Sequence, residues 1–171
     1  MEKQKVDFYS TNIYTIPDSF FVDNNIKNVV TDLDNTLDGC DVSSPRKEAL
    51  ELKERLDKLN IKLYVISNNH EKRVLPYCEA LNVEFLADAK KHTVKRIKNW
   101  LLNKNININE TIFIGDQIFT DRNYVKKLNG KFILTYPLVK KDQFFTKFVR
   151  WLDNIIRKRW LKKGLLGQKI G

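Results

Sequence analysis

The chain lacks the features that mark membrane-embedded, secreted or multidomain proteins. No apolar run in its 171 residues approaches the ~20 residues that a helix needs to cross a bilayer. Residues 1–7 are charged and have no apolar centre of the kind found in signal peptides. There is no internal repeat, no low-complexity segment and no linker rich in proline or glycine. We therefore expect one globular domain with a substantial core, located in the cytoplasm.

Cysteine is also scarce. Cys40 and Cys78 are the two cysteines, and their spacing fits neither a metal site nor a redox motif. We expect two free thiols in a reducing compartment, which agrees with a cytoplasmic location.

Two acidic residues end an apolar run near the start of the chain. The string VVTDLDNTL, residues 29–37, places Asp32 and Asp34 two positions apart. In a strand such positions share one face, so both carboxylates point the same way. Buried carboxylates without partners are costly, and a chance acidic strand end is the less favoured explanation. A cation or a phosphoryl group between the two acids explains the pattern better.

Three further strings carry polar groups: two end predicted strands, and one opens a helical stretch. KLYVISNN, residues 62–69, ends in Ser67, whose hydroxyl can donate to a phosphate oxygen, although Ser-Asn-Asn is also an ordinary turn signal. DAKK, residues 88–91, offers a lysine to neutralise phosphate, although adjacent lysines more often face solvent. TIFIGDQIFTD, residues 111–121, ends in Gly115 and Asp116, with Asp121 five residues on. Glycine permits close approach of the backbone, and aspartate is a natural ligand of hard cations.

Apolar patterning predicts strands that alternate with helices. The strands are expected at 28–33, 62–66, 84–86, 111–115 and 131–135. Helices are expected after Ser44-Pro45, near 70–81, near 92–103 and at 121–128, with Pro76 kinking the second or marking its true start. Residues 1–25 are ambiguous, apart from a short helix after Pro17. Such alternation favours a parallel sheet whose ligand site lies beyond the carboxyl ends of the strands, where every motif above falls.

The four strings together resemble the motifs of the haloacid dehalogenase (HAD) superfamily of phosphatases. The resemblance rests on DxDxTL, a serine after a strand, a lysine and GDxxxxD, and it covers roughly residues 26–160. The finer strings TDLDNTL, ISNN followed by EKRV, and GDQ followed by TD resemble the YqeG family of HAD subclass IIIA, which is related to phosphatidylglycerophosphate phosphatases. One departure is Lys91-His92, where that family usually has Lys-Pro. The alignment selects Lys91 over Lys90 as the motif lysine.

The resemblance implies an α/β fold, a Rossmann-like three-layer sandwich around a parallel sheet of strand order 5-4-1-2-3. The short intervals at 38–43 and 67–91 leave no room for a large cap domain. We expect an N-terminal extension at 1–25, a catalytic domain at 26–139, and a basic amphipathic helix and tail at 140–171 packed on the same domain.

The resemblance also implies Mg²⁺-dependent hydrolysis of a phosphomonoester through an aspartyl-phosphate. Asp32 would be the nucleophile, and Asp34 would be the general acid and then the general base. Ser67, Asn68 and Lys91 would bind the phosphoryl group, with Ser67 and Lys91 taking part in catalysis.

The same resemblance implies a metal site. Asp32, Asp116 and the backbone carbonyl of Asp34 would bind Mg²⁺, a cation that prefers oxygen ligands. Asp121 would act through a water molecule or orient Lys91.

Positive charge is concentrated near the C-terminus. Of the net charge of +10, residues 140–171 carry +8, from ten basic and two acidic residues. The apolar residues of this segment repeat at helical spacing: Phe145, Phe148, Trp151, Leu152, Ile155 and Ile156. The intervening polar positions are Lys147, Arg150, Asn154, Arg157 and Lys158. Such a helix either docks on the sheet or lies on an anionic membrane, and both alternatives stay open.

Three functions fit these observations. The first is a phosphatase that acts on a lipid such as phosphatidylglycerophosphate, peripherally at the inner face of the membrane. The second has the same chemistry on a soluble sugar or nucleotide phosphate. The third is a non-catalytic protein that binds RNA or the ribosome, which the four intact acids at 32, 34, 116 and 121 disfavour. A site without a cap suits a large or anchored substrate.

Overall fold

In the part of the chain that the structure describes, seven parallel strands form one sheet. The computed structural model describes residues 5–139 and 144–171, and side chains at 5–139 and 151–171. The sheet order is β4-β3-β2-β5-β6-β1-β7. The strands are β1 (Phe8–Ser10), β2 (Asn28–Thr31), β3 (Lys62–Ile66), β4 (Glu84–Leu86), β5 (Thr111–Gly115), β6 (Lys131–Thr135) and β7 (Gln168–Lys169).

Six α-helices connect the strands within the described residues. They are α1 (Asp18–Asp23), α2 (Lys47–Lys58), α3 (Glu71–Leu81), α4 (Lys95–Asn103), α5 (Asn123–Lys127) and α6 (Phe144–Lys162). Short 3-10 turns lie at Ile13–Thr15 and Ile108–Glu110, and a π-helical turn lies at Ile118–Arg122. One apolar core joins a face of the sheet to α1, α2 and α3, through residues such as Phe21, Leu52 and Tyr77. A second core joins the other face to α4, α5 and α6, through Ile97, Tyr124 and Trp160.

The predicted α/β fold class is confirmed, and so is the order of the five predicted strands. The four strands from β3 to β6 have the predicted bounds, whereas β2 ends at Thr31 rather than at residue 33. Two short strands that the sequence did not predict, β1 and β7, extend the sheet beyond β6. The segment 32–46 forms turns and one isolated bridge between Asp34 and Asp38, and it contains no inserted domain.

Helix bounds differ from the sequence prediction at three places. Pro76 lies inside α3, which begins at Glu71, so the proline does not mark the start of this helix. The helix expected near 92 begins at Lys95, because Val94 has a left-handed backbone (φ 62°) that interrupts helical geometry. The helix expected at 121–128 is divided into the π-helical turn and α5.

The C-terminal helix α6 packs on the second core through a face that overlaps the predicted apolar stripe at Ile156 and also includes Asp153, Arg157 and Trp160. Ile156 and Trp160 contact the second core, whereas Trp151 is 57% exposed. Arg157, expected among the solvent-facing positions, is buried. The prediction for Arg157 was wrong because helical spacing alone cannot distinguish a solvated cation from one that bonds to backbone carbonyls. Phe145 and Phe148 lie outside the residues whose side chains are described.

Within the described ranges 5–139 and 144–171, no helix is both long enough and apolar enough to cross a membrane.

Candidate active site

Three carboxylates converge beyond the carboxyl ends of two neighbouring strands. Asp32 follows β2, and Asp116 and Asp121 follow β5, which pairs with β2 in parallel. Each of the three residues offers a carboxylate oxygen within 4.8 Å of the others, and all three side chains are buried. The backbone pairing continues to the first acid, since the amide of Asp32 donates to the carbonyl of Ile114 at 3.0 Å. The paired ends of β2 and β5 therefore place Asp32 and Asp116 side by side.

Lys91 places an ammonium group between these acids. Its Nζ donates to Asp32 and, at 2.7 Å, to Asp121, and the side chain is only 3% exposed. Lys90 is exposed, with a left-handed backbone (φ 49°) that turns the chain before Lys91. The geometry brings Lys91, and not Lys90, to the acids.

Burial and crowding shift the acid–base properties of this cluster. Burial raises the pKa of Asp32, Lys91 lowers it, and the carboxylates of Asp121, Asp116 and Asp34 raise it further, with a net result well above the usual range. Burial lowers the pKa of Lys91, but Asp121 and Asp32 more than offset this and raise it overall. The cluster therefore carries excess negative potential around a firmly protonated lysine.

Asp34 lies at the edge of the cluster and is held by two side chains that the sequence analysis did not assign to the site. Asn69 donates to one carboxylate oxygen at 2.5 Å, and Arg73, from the first turn of α3, donates to the other at 2.8 Å. Arg73 also donates to the carbonyl of Gly39 at 3.2 Å, so it ties the loop after β2, which contains Asp34 and Gly39, to α3. The sequence signal for Arg73 is the EKRV string, residues 71–74, which contains it.

Ser67 and Asn68 lie at the end of β3, beside the cluster. The Ser67 hydroxyl is buried and accepts from the amide of Asn69 at 3.1 Å. The side-chain oxygen of Asn68 accepts from the amide of Lys91 at 2.9 Å, so Asn68 fixes the turn that presents the lysine. The structure thus brings every sequence-predicted site residue to one edge of the sheet.

The turn after β5 allows Asp121 to fold back onto Asp116. A Cβ atom at Gly115 would lie 2.5 Å from Cγ of Asp121, a separation that real Cβ contacts do not show. Asp121 also accepts from the amide of Gln117 at 3.1 Å. Glycine at position 115 is therefore required by this close approach.

Two residues of α6 also reach this turn, and the sequence analysis missed both. Arg157 donates to the carbonyl of Asp116 at 2.9 Å, and a carboxylate oxygen of Asp153 accepts from the amide of Ile118 at 3.1 Å. Burial raises the pKa of Asp153 to about 6, although the amide of Ile118 and the charge of Arg157 lower it. No sequence signal separated these two residues from the other charges of α6.

The cluster fits a divalent metal ion by the chemistry of its donors. Three buried carboxylates form an oxygen-rich site of the kind that Mg²⁺ uses. The ammonium of Lys91 offsets part of their charge, and a cation would offset the remainder. Burial, followed by the neighbouring carboxylates, raises the pKa of Asp32, and a bound cation would favour its ionised form.

Comparison with known proteins gives two curated relatives and several solved folds. No family model matches the chain. The probable phosphatase YqeG of Bacillus subtilis (strain 168) is 30% identical over 158 residues, which cover 92% of each protein. Phosphatidylglycerophosphate phosphatase 1, chloroplastic/mitochondrial, of Arabidopsis thaliana is 40% identical over 57 residues, 33% of this chain and 16% of that protein.

Two solved structures share the fold at low sequence identity. The putative 3-deoxy-D-manno-octulosonate 8-phosphate phosphatase of Vibrio cholerae has a TM-score of 0.54 at 13% identity, over 69% of this chain and 80% of that one. The cobalt-bound deoxy-D-mannose-octulosonate 8-phosphate phosphatase of Haemophilus influenzae has a TM-score of 0.50 at 17% identity, over 67% of this chain and 80% of that one. With a relative that it matches at 30% identity over nearly the whole length of both proteins, the chain belongs to the YqeG family of phosphatases.

Proposed function

We propose that the protein is a Mg²⁺-dependent phosphomonoester hydrolase that works through an aspartyl-phosphate on Asp32. The observation that carries the proposal is the buried cluster of Asp32, Asp116 and Asp121 around the Lys91 ammonium. A structural core gains nothing from three crowded carboxylates, whereas phosphoryl transfer requires a nucleophile, cationic groups and fixed positions.

Asp32 and Asp34 divide the chemistry in the proposed reaction. A carboxylate oxygen of Asp32 attacks phosphorus, and the bond from phosphorus to the leaving oxygen breaks as Asp34 gives that oxygen a proton. Asp34 then takes a proton from water as the water oxygen attacks phosphorus, which releases phosphate and restores Asp32. Asn69 and Arg73 hold Asp34 at the partly open edge of the site, where a leaving group and water can reach it.

Lys91 and the end of β3 hold the phosphoryl group in this proposal. The Lys91 ammonium lies beside the nucleophile, and it stabilises negative charge on the phosphoryl oxygens without moving during the reaction. Ser67 and Asn68 complete the binding edge. Asp121 orients Lys91 through its 2.7 Å hydrogen bond.

Asp32, Asp116 and the backbone carbonyl of Asp34 would hold Mg²⁺, with Asp121 close enough to bind directly or through water. When bound, the cation supplies charge neutralisation for the phosphate and the nucleophile.

A lipid phosphomonoester is the substrate class that we favour. The acids are followed by turns rather than by an inserted domain, so a large substrate can reach them. The partial match to a phosphatidylglycerophosphate phosphatase supports this choice.

Activity on a substrate panel tests the proposal. With Mg²⁺ the purified protein should hydrolyse an aryl phosphate, and it should turn over phosphatidylglycerophosphate with a higher kcat/KM than sugar or nucleotide phosphates. A chelator should abolish both activities, and Mg²⁺ should restore them. Preference for a soluble substrate would support phosphomonoester hydrolysis but refute the proposed lipid substrate. Salt-sensitive RNA binding without turnover of any substrate would reject the enzyme altogether.

The outer face of α6 supports peripheral binding to an anionic membrane. Trp151 and Leu161 are 57% and 50% exposed, and Lys158, Lys162 and Lys163 are exposed beside them. Exposed aromatic and aliphatic groups among lysines are typical of helices at anionic lipid surfaces. Arg157 does not belong to this surface because it is buried, so it is left out of the test below.

Reversal of Lys158, Lys162 and Lys163 to glutamate should weaken binding to anionic vesicles by at least about 100-fold. Each basic residue near such a surface contributes about 1 kcal/mol, and three are lost. Vesicle sedimentation with phosphatidylglycerol measures the partition coefficient, which should also fall in the wild type as salt rises.

A matched control carries the same charge change elsewhere. Lys58, Lys72 and Lys98 are exposed on α2, α3 and α4. Their reversal to glutamate should leave vesicle binding within about threefold of the wild-type value, because these residues lie away from the proposed membrane-binding face. Both triple variants should retain hydrolysis of the aryl phosphate. Equal losses of vesicle binding in the two variants would show that only net charge matters. Absence of vesicle binding by the wild-type protein would refute peripheral membrane binding.

A further inference from the structure

The turn that follows β5 carries two of the three clustered acids, and α6 holds this turn from outside. Asp153 and Arg157 lie one helical turn apart on α6. Nη2 of Arg157 donates to the carbonyl of Asp116 at 2.9 Å, and Oδ2 of Asp153 accepts from the amide of Ile118 at 3.1 Å. The two contacts fix the backbone on both sides of Gln117.

These side chains are buried where an apolar pair would also fill the space. Arg157 is 5% and Asp153 3% exposed. Burying ionised groups is costly unless they are paired and hydrogen-bonded, and well-packed apolar residues often stabilise a core as well or better. Packing alone therefore does not account for a buried arginine and aspartate at these positions. Their contacts with the backbone of the turn supply a reason for them.

Arg157 connects the turn to the rest of the sheet. Its Nη1 donates to the carbonyl of Thr135, the last residue of β6, at 2.9 Å, and its guanidinium carbon lies 4.5 Å from the centre of the Tyr136 ring. The planar guanidinium thus joins the ends of β5 and β6, two neighbouring strands. A lysine could not hold both carbonyls in this fixed geometry.

We propose that Arg157, together with Asp153, is a positioning residue for the divalent-cation site. By fixing the backbone at Asp116 and Ile118, the pair keeps the Asp116 and Asp121 carboxylates at the separation from Asp32 that one cation can bridge. This inference rests on the proposed metal-dependent function and assigns α6 a part in it. Groups that orient metal ligands from behind commonly change metal affinity by 10–100-fold when they are removed.

Binding of Mn²⁺, measured by electron paramagnetic resonance of the free ion, tests the inference without an activity assay. Arg157→Met removes both donors and keeps a long side chain, and it should raise the Mn²⁺ dissociation constant by about tenfold or more. Arg159→Met is the matched control, because Arg159 is exposed on the same helix. That control should bind Mn²⁺ as the wild type does. Circular dichroism and the thermal midpoint identify folded variants.

Asp153 supplies an independent pair of variants if Arg157→Met does not fold. Asp153→Asn keeps an oxygen that accepts from the Ile118 amide, so its Mn²⁺ affinity should stay within about threefold of the wild-type value. Asp153→Leu has no acceptor and should weaken binding by about tenfold. A purely structural role would not distinguish these two variants by metal affinity at equal thermal stability.

Kinetics provide a second readout. In the weakened variants the Mg²⁺ concentration for half-maximal rate should rise, while KM for an aryl phosphate at saturating Mg²⁺ stays within about twofold, because the contacts lie behind the metal ligands. Folded Arg157→Met or Asp153→Leu protein with wild-type Mn²⁺ affinity would overturn the inference. Wild-type protein that binds no Mn²⁺ or Mg²⁺ would instead overturn the proposed function on which it rests.

Discussion

Asp32→Asn should lower kcat for an aryl phosphate by about four orders of magnitude or more. The asparagine keeps the shape of the side chain but cannot attack phosphorus as an anion, and loss of a covalent nucleophile is among the largest effects known in enzymes. The substitution also removes a negative charge that is buried beside Asp116 and Asp121. We therefore expect a folded, inactive protein, measured by release of the aryl alcohol at saturating Mg²⁺.

Asp23→Asn is the control for this experiment, since Asp23 is exposed at the end of α1. It should keep full activity. A decisive addition is a rapid quench with ³²P-labelled substrate, in which the wild type should trap label on the protein and Asp32→Asn should not. Equal hydrolysis by the variant and the wild type would refute an aspartyl-phosphate on Asp32.

Lys91→Met should lower kcat by about 10³-fold, whereas Lys90→Met should change it by less than about threefold. The ammonium of Lys91 lies among the acids and would stabilise the charge that develops on the phosphoryl oxygens. Lys90, its chain neighbour, faces solvent. The two variants differ by one position and carry the same change in charge, so the contrast isolates the place of the ammonium rather than net charge.

The same pair of variants differs in stability. Removal of the Lys91 ammonium leaves Asp121 and Asp32 buried without that partner, which costs about 3 kcal/mol in comparable buried pairs. Urea unfolding without metal should show this loss for Lys91→Met and less than about 0.5 kcal/mol for Lys90→Met. Small and equal effects of the two substitutions on both rate and stability would place the functional lysine elsewhere.

The sequence predicts the centre of this molecule well because each strand there is a compact apolar run bounded by turn residues. The strings at 62–66 and 111–115 needed no tertiary context, and their polar ends lie together because parallel strands share one carboxyl edge. Lys91 was separated from Lys90 only by a family alignment, since periodicity treats adjacent lysines alike. The structure separates them by a backbone turn at Lys90.

The remaining features depend on contacts that local patterns do not encode. The strands β1 and β7 have three and two residues, too few for an alternation to be visible; β1 pairs with the edge of β6, and β7 pairs with β1. Arg157 and Asp153 look like ordinary charges of an amphipathic helix. Their burial depends on the carbonyl of Asp116 and the amide of Ile118, which the sequence cannot place opposite α6.

The pairing of β1 with β7 has a consequence for the order of folding. Phe8 pairs with Gln168, so this edge closes a loop that spans most of the chain, whereas β2 pairs with β3 and with β5 across shorter stretches of the chain. Contacts between distant residues cost more chain entropy and form slowly. In refolding followed by pulsed hydrogen exchange, we expect amides of β2 and β5 to gain protection before those of β1. Asp32 and Asp116 would then come together before α6 packs on the sheet. Metal binding should therefore appear in a later kinetic phase than the secondary structure.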